Sequence, residues 1–188
     1  MTDLPREELL AIEDDFERRM VFVAALQTAL RDTGEETVLV GGHAVEAYTL
    51  GDYTTADIDL VVIVKRPVED LLQQWGFRRE GRVFWHGQLG IAVDLIGERL
   101  GGDWNRTQLF SVRDYTARLI APEDLIIDRL NACVHWGLQE YCSWAKRVFI
   151  AERERLDLGY LRECAKQEIV VDALEAIIEE VDGGAKSS

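Results

Sequence analysis

The chain has 188 residues, 47% of them hydrophobic, enough to bury a real core in one domain or in a domain with a small appendage. Lys and Arg number 21 against 35 Asp and Glu, a net charge of −14, which argues against a surface coated in nucleic-acid-binding charge while leaving room for a local basic groove. The N-terminal stretch is charged and lacks an apolar core of signal-peptide type, and no run approaches a membrane span, so a cytoplasmic protein is expected.

In chain order, a first helix is expected from Asp3 or Leu4, with Pro5 in its first turn, to about Arg31, in one piece or two. Its acidic half, Glu7 to Glu17, reads as a solvated face, and Met20 to Leu30 as the part packed on the core. Asp32-Thr33-Gly34 should end it. Val38 to Val40 reads as a strand, and Gly41-Gly42 as the turn into a helix over His43 to Leu50. Glycines there let backbone N–H groups approach a ligand, and a helix N-terminus favours an anion. Alone, the pair reads more simply as a tight turn with no ligand.

The second strand opens on Asp57-Ile58-Asp59 and runs apolar to Val64. Side chains alternate along a strand, so Asp57 and Asp59 share one face while Ile58 and Leu60 take the other, into the core. Pro67 to Trp75 has helical spacing, closed by Gly76. Phe77 to Arg79, Arg82 to His86 and Gly90 to Ile96 read as strands, the last two as a hairpin. The final one, Ile91-Ala92-Val93-Asp94-Leu95-Ile96, carries an acid inside an apolar run. That is costly unless the acid has a partner, and a cation shared with Asp57 and Asp59 would supply one.

Leu109 to Ile120 is expected to hold a helix turn and a short strand. Pro122 with Glu123 and Asp124 is a strong helix start. Three helices should follow, near Glu123 to Trp136, Leu138 to Arg155 and Leu158 to Glu180, with 183–188 as a disordered tail. Cys133, Cys142 and Cys164 form no CxxC pair and are odd in number, so buried thiols are expected rather than a disulfide or zinc site. The fold class is α+β: a small mixed sheet flanked by helices over 1–120, then a helical lobe over 121–182.

His43 could touch phosphate, but a helix cap or partly buried side chain is the simpler reading, and His86 and His135 read as structural. Trp85 and Trp104 could stack on a base, though core packing explains them more simply. Arg99, Arg106 and Arg113 could line an acceptor cleft or be solvated charges.

Val40-Gly41-Gly42-His43-Ala44, Thr55-Ala56-Asp57-Ile58-Asp59-Leu60, Val93-Asp94-Leu95 and Ala121-Pro122-Glu123-Asp124-Leu125-Ile126 in that order resemble the nucleotidyltransferase superfamily, with its DNA polymerase β-like palm. The similarity is greatest to the branch of AbiEii-type toxins and covers about Val38 to Leu130. The resemblance implies transfer of a nucleoside monophosphate from an NTP, with two Mg2+ ions held by Asp57, Asp59 and Asp94. Asp94 would also receive the acceptor's proton, Gly41 and Gly42 would bind the triphosphate, and Thr55 and Arg129 would serve the nucleotide.

The sequence departs from that branch where an Arg is usual four residues before the first Asp, here Tyr53, and where a Lys is usual, here Arg129. A later Lys-Asp pair has no counterpart, Lys146-Arg147 being the nearest cations. The acceptor is left open among tRNA, a protein hydroxyl and a polyhydroxylated small molecule such as an aminoglycoside, with a protein partner in a toxin–antitoxin setting. Against this stand a nucleotide- or partner-binding module without turnover and a purely structural interaction protein.

Overall fold

The computed structural model describes residues 3–31, 33–51, 55, 57–97 and 99–185. Two compact units divide the chain, Met1–Ile120 and Ala121–Ser188. The first is built on a mixed sheet of β1 (Thr37–Val40), β2 (Asp57–Val62), β3 (Arg78–Glu80), β4 (Val83–His86), β5 (Ile91–Gly97), β6 (Gln108–Val112) and β7 (Tyr115–Leu119). Their spatial order is β3-β4-β5-β2-β1-β7-β6. With them go α1 (Arg6–Ala11), α2 (Asp15–Arg31), α3 (Gly41–Tyr48) and α4 (Lys65–Gln74). The α+β reading of the sequence is the architecture found.

The central strands carry the fold. β2 pairs antiparallel with β1 and parallel with β5, and parallel neighbours need a crossover, supplied here by α4 and the β3–β4 hairpin. The register shifts between Leu60 and Val61: Leu60 lies opposite Leu95 and Val61 opposite Gly97, so β5 spends one extra residue, Ile96, at a bulge. One face of the sheet carries Leu39, Ile58, Leu60, Phe84, Val93 and Leu95, all buried. The adjoining core includes Phe22, whose ring lies 5.2 Å from Phe77 and 6.2 Å from Trp75.

β1 and β7 meet at a single register pair, Leu39 and Leu119, and the buried Gln27 of α2 extends that join. Its Nε2 donates to Thr37 O and Arg118 O, both at 3.1 Å, and its Oε1 accepts from Arg118 N at 2.6 Å. One side-chain amide thus serves backbone groups of both strands. Gln27→Leu strands these groups in the interior and is expected to cost about 2–4 kcal/mol, read as a lower midpoint in urea with an unchanged slope.

Four sequence expectations need correction. Residues 109–120 hold no helix turn: β6 and β7 form a tight hairpin, Val112 opposite Tyr115, with Arg113 in the left-handed region at φ 49°. A turn without Gly or Asn hid this hairpin. The long C-terminal helix is two, α7 (Leu158–Gln167) and α8 (Val171–Ala185), giving the second unit four helices with α5 (Pro122–Trp136) and α6 (Gln139–Glu152). The break is at Ile169, φ 59° and exposed, which returns Val170 and Leu174 to the interior. Nor is 183–185 a disordered tail, since α8 extends to Ala185; 186–188 lie outside the described residues.

The fourth correction is a disulfide joining Cys133 and Cys142, with Cys164 outside the pair. Gly137 ends α5 in the left-handed conformation at φ 72° and turns the chain directly into α6. That reversal brings the last turn of one helix to the first turn of the next, with a Cα separation of 5.4 Å, inside the range a cystine spans. Local sequence spacing carried no sign of it.

Candidate nucleotidyl-transfer site

The site is a row of side chains across the middle of the sheet. In register, and therefore on one face, lie Val40 of β1, Asp59 of β2, Asp94 of β5 and Val83 of β4. Asp57, two residues before Asp59, shares that face in a second row with Ala92 and Trp85. Thus the two acids of β2 and the acid of β5 face the same way, on the side of the sheet opposite Ile58 and Leu60. Asp57 is exposed, Asp59 half-buried and Asp94 buried.

Gly41 follows Val40 and fixes the approach of β1 to Asp59. Its φ is +68°, in the left-handed region, and an added Cβ would overlap the Asp59 carboxylate, lying 2.8 Å from Cγ. Only glycine avoids both the torsional strain and the collision. Gly42 is buried within the first turn of α3, and Thr55 is half-buried ahead of β2. Tyr53 lies outside the described residues.

Asp94 has a partner that sequence reading missed. Arg82, in the turn between β3 and β4, places its Nε 2.8 Å from Asp94 Oδ2. The other carboxylate oxygen, Oδ1, is enclosed and has no hydrogen-bond partner among the described residues. The one available signal was chemical: a buried strand carboxylate demands a cation, and an arginine just before the hairpin partner strand is within reach of one.

The sequence resemblance implies magnesium, and the donor set suits it. Three aspartates offer the hard oxygens that ion prefers, and the orphaned Oδ1 of Asp94 is an acceptor awaiting a positive group. Even so, among the described residues no three His, Cys, Asp or Glu side chains are gathered closely enough to hold one ion. Ligation by all three acids therefore requires side-chain rotation.

Several other candidate groups have surroundings of their own. Arg129 is on α5, in the second unit, where its Nε donates to Asp128 at 2.9 Å and its guanidinium lies 5.0 Å from the Tyr141 ring centre. Arg113 is paired with Glu17 at 2.7 Å, and that contact holds the Glu17 carboxyl below the usual range. His135 bonds Glu168 O at 2.9 Å, and Trp104 is half-buried in a short 3-10 turn. His86 is buried beside Phe77 and accepts from Leu89 N, as befits a structural residue.

His43 is wholly buried, more than its sequence position suggests. Its Nδ1 is 3.0 Å from Glu46 Oε2, which Arg19 approaches at 3.4 Å, and its Nε2 has no partner among the described residues. Burial drives its pKa down, outweighing the hydrogen bond to Glu46, so the imidazole is neutral with its proton on Nδ1. Burial likewise lowers His86. For a base depressed on folding, the unfolded chain takes up more protons, so this contribution to stability is full above the ordinary histidine pKa and is lost as pH falls below it. Stability is expected to decline as pH falls below about 6.5, and His43→Gln should flatten that slope in urea titrations run at a series of pH values.

In sequence the chain matches no protein-family model and no curated protein. In structure it is similar to an antigenic nucleotidyltransferase-like protein from Paracoccidioides brasiliensis, with a TM-score of 0.57 at 14% identity, over 87% of this chain and 94% of that one. It is also similar to the antibiotic-resistance factor ANT(2'')-Ia, with a TM-score of 0.50 at 13% identity and the same coverage of 87% and 94%. The fold is therefore nucleotidyltransferase-like. Among the described residues, no helix is long and apolar enough to cross a membrane.

Proposed function

We propose that this chain transfers a nucleoside monophosphate from an NTP to a hydroxyl acceptor. The observation that carries the reading is Asp59 and Asp94 in register on adjacent parallel strands, with Gly41, at the start of α3, packed against Asp59. Bound magnesium would neutralise the triphosphate and sharpen the attacking hydroxyl. Asp57 and Asp59 would hold the ions, and Asp94, once its side chain has rotated, would complete the second site. As the acceptor oxygen bonds the α-phosphorus and the bond to pyrophosphate breaks, Asp94 takes the hydroxyl proton. Backbone N–H groups of Gly41 and Gly42, at the start of α3, donate to triphosphate oxygens, and Thr55 orients the loop before β2. The role of Arg129 rests on the sequence resemblance alone.

A small polyhydroxylated molecule or a protein hydroxyl suits a chain of net charge −14 better than tRNA, whose binders gain affinity by neutralising phosphates. The toxin-like branch and a protein partner belong to this proposal too. A second reading is favoured by one observation, the engagement of Asp94 by Arg82: a nucleotide-binding module that has kept the fold and lost turnover. Calorimetric titration of each NTP with magnesium, on the wild type and on Asp57→Ala/Asp59→Ala, tests both. Binding that depends on magnesium and vanishes in the double variant supports the site. Absence of binding to a folded wild type sinks it, and binding with no pyrophosphate released favours the module.

A further inference from the structure

We propose that Arg82 is the positioning residue for the Asp94 carboxylate, holding Oδ2 so that Oδ1 is kept for a cation; the inference rests on the metal–nucleotide reading above. Val83, the residue after Arg82, is in register with Asp94, and Asp59 is in register with Asp94 from the other side. Strand order β4-β5-β2 therefore sets Arg82 and Asp59 on opposite flanks of the same carboxylate. The Arg82 Nε lies 2.8 Å from Oδ2 in an ion pair, while the enclosed Oδ1 has no hydrogen-bond partner among the described residues. One oxygen is engaged, and its buried twin is not.

The two partners are unequally placed, which sets them apart from an ordinary surface pair. The Arg82 side chain is 82% exposed and that of Asp94 is 5% exposed. The guanidinium thus stays in water while its Nε reaches inward to a buried acid. A carboxylate turns about its Cβ–Cγ bond, and turning it over exchanges the two oxygens. A close ion pair at one oxygen biases that torsion, as charged groups behind metal-ligating side chains commonly do. Arg82 also supplies positive charge beside three acids that share a sheet face, easing their repulsion before any cation arrives.

An opposite role has the same geometry but the opposite sign: Arg82 could compete with the cation for Oδ2. Titration of Mn2+ into the full-length chain, followed by the electron paramagnetic resonance of free Mn2+, separates the two. Arg82→Gln is expected to weaken Mn2+ binding about 10- to 100-fold, with Arg82→Lys in between because an ammonium lacks the planar fork. In an Asp94→Asn background, Arg82→Gln should add nothing, since the torsion it governs no longer positions an anionic ligand. Loss of the partner of a buried acid should lower the unfolding midpoint in EDTA, so Mn2+ is titrated at a temperature where every variant is folded.

Unchanged Mn2+ affinity in Arg82→Gln overturns the proposal, and tighter binding overturns it in favour of competition. Should Arg82→Gln fail to fold, wild-type affinity in Arg82→Lys overturns it just as well. If the wild type itself binds no Mn2+, the metal–nucleotide reading fails and takes this one with it. A wild type that binds alongside an indifferent Arg82→Gln removes only the role of Arg82.

Discussion

Asp57→Ala/Asp59→Ala is expected to lower pyrophosphate release by more than about 10³-fold while leaving the chain folded. The several kcal/mol that a metal centre contributes to charge stabilisation at phosphorus sets this scale, at one decade for each 1.36 kcal/mol. Retention of the fold follows from where the two side chains lie. Asp57 is exposed and Asp59 half-buried at the start of β2, so neither supports the core beneath Ile58 and Leu60. Removing two of three like charges from one sheet face also relieves repulsion, so the melting temperature should hold or rise. Release of labelled pyrophosphate, with water or a screened hydroxyl compound as acceptor, gives the rate, and calorimetry gives the midpoint. Wild-type turnover in a folded double variant would place any chemistry elsewhere.

The second large effect is expected at Gly41. Alanine there must hold φ near +68°, a strain of about 1–2 kcal/mol for an L-residue, and its Cβ displaces the Asp59 carboxylate. Overpacking of this kind adds about 1–3 kcal/mol. For a chain of this size the two together correspond to a melting temperature lowered by roughly 5–15 °C. The functional loss should exceed the structural one, because the same methyl group turns an acid of the proposed site away from its row. Magnesium-dependent NTP binding should therefore be lost at temperatures where Gly41→Ala is still folded. Binding equal to wild type would show that the close approach of β1 to Asp59 serves packing only.

How far the sequence was legible depended on whether a residue's meaning was local. Asp57 and Asp59 open an apolar run, and strand alternation alone sets them on one face away from the core. Asp94 drew notice because an acid in an apolar strand needs a partner, and the structure provides one in Arg82. What local pattern could not yield was register. Nothing in the sequence around Asp59 or Asp94 says that they lie side by side on parallel strands, since that pairing is set by the crossover through α4 and the β3–β4 hairpin. Arg82 was illegible for the same reason: at the start of an expected strand, next to the Gly81 turn, it reads as any solvated cation.

The other misreadings were also failures of local signal. The β6–β7 turn has neither Gly nor Asn to announce it, and its Arg113 takes a left-handed conformation unusual for its type. A break at Ile169 cuts an otherwise continuous helical pattern, because tertiary burial of Val170 and Leu174 prevails over propensity. Cys133 and Cys142 lie on different helices, and only the reversal at Gly137 makes them neighbours.

The irregularity between Leu60 and Val61 also bears on how this chain tolerates change in length. Upstream of it, Asp57 to Leu60 lie residue for residue against Ala92 to Leu95; downstream, the extra Ile96 absorbs the mismatch. A one-residue slip upstream would turn Asp59 or Asp94 to the opposite face, whereas slack beyond the bulge is already accommodated. Insertions and deletions in the segment that leaves β2 and in the loop that follows β5 should thus be absorbed where they arise. The acidic row is insulated from them, and the connections around it are free to diverge.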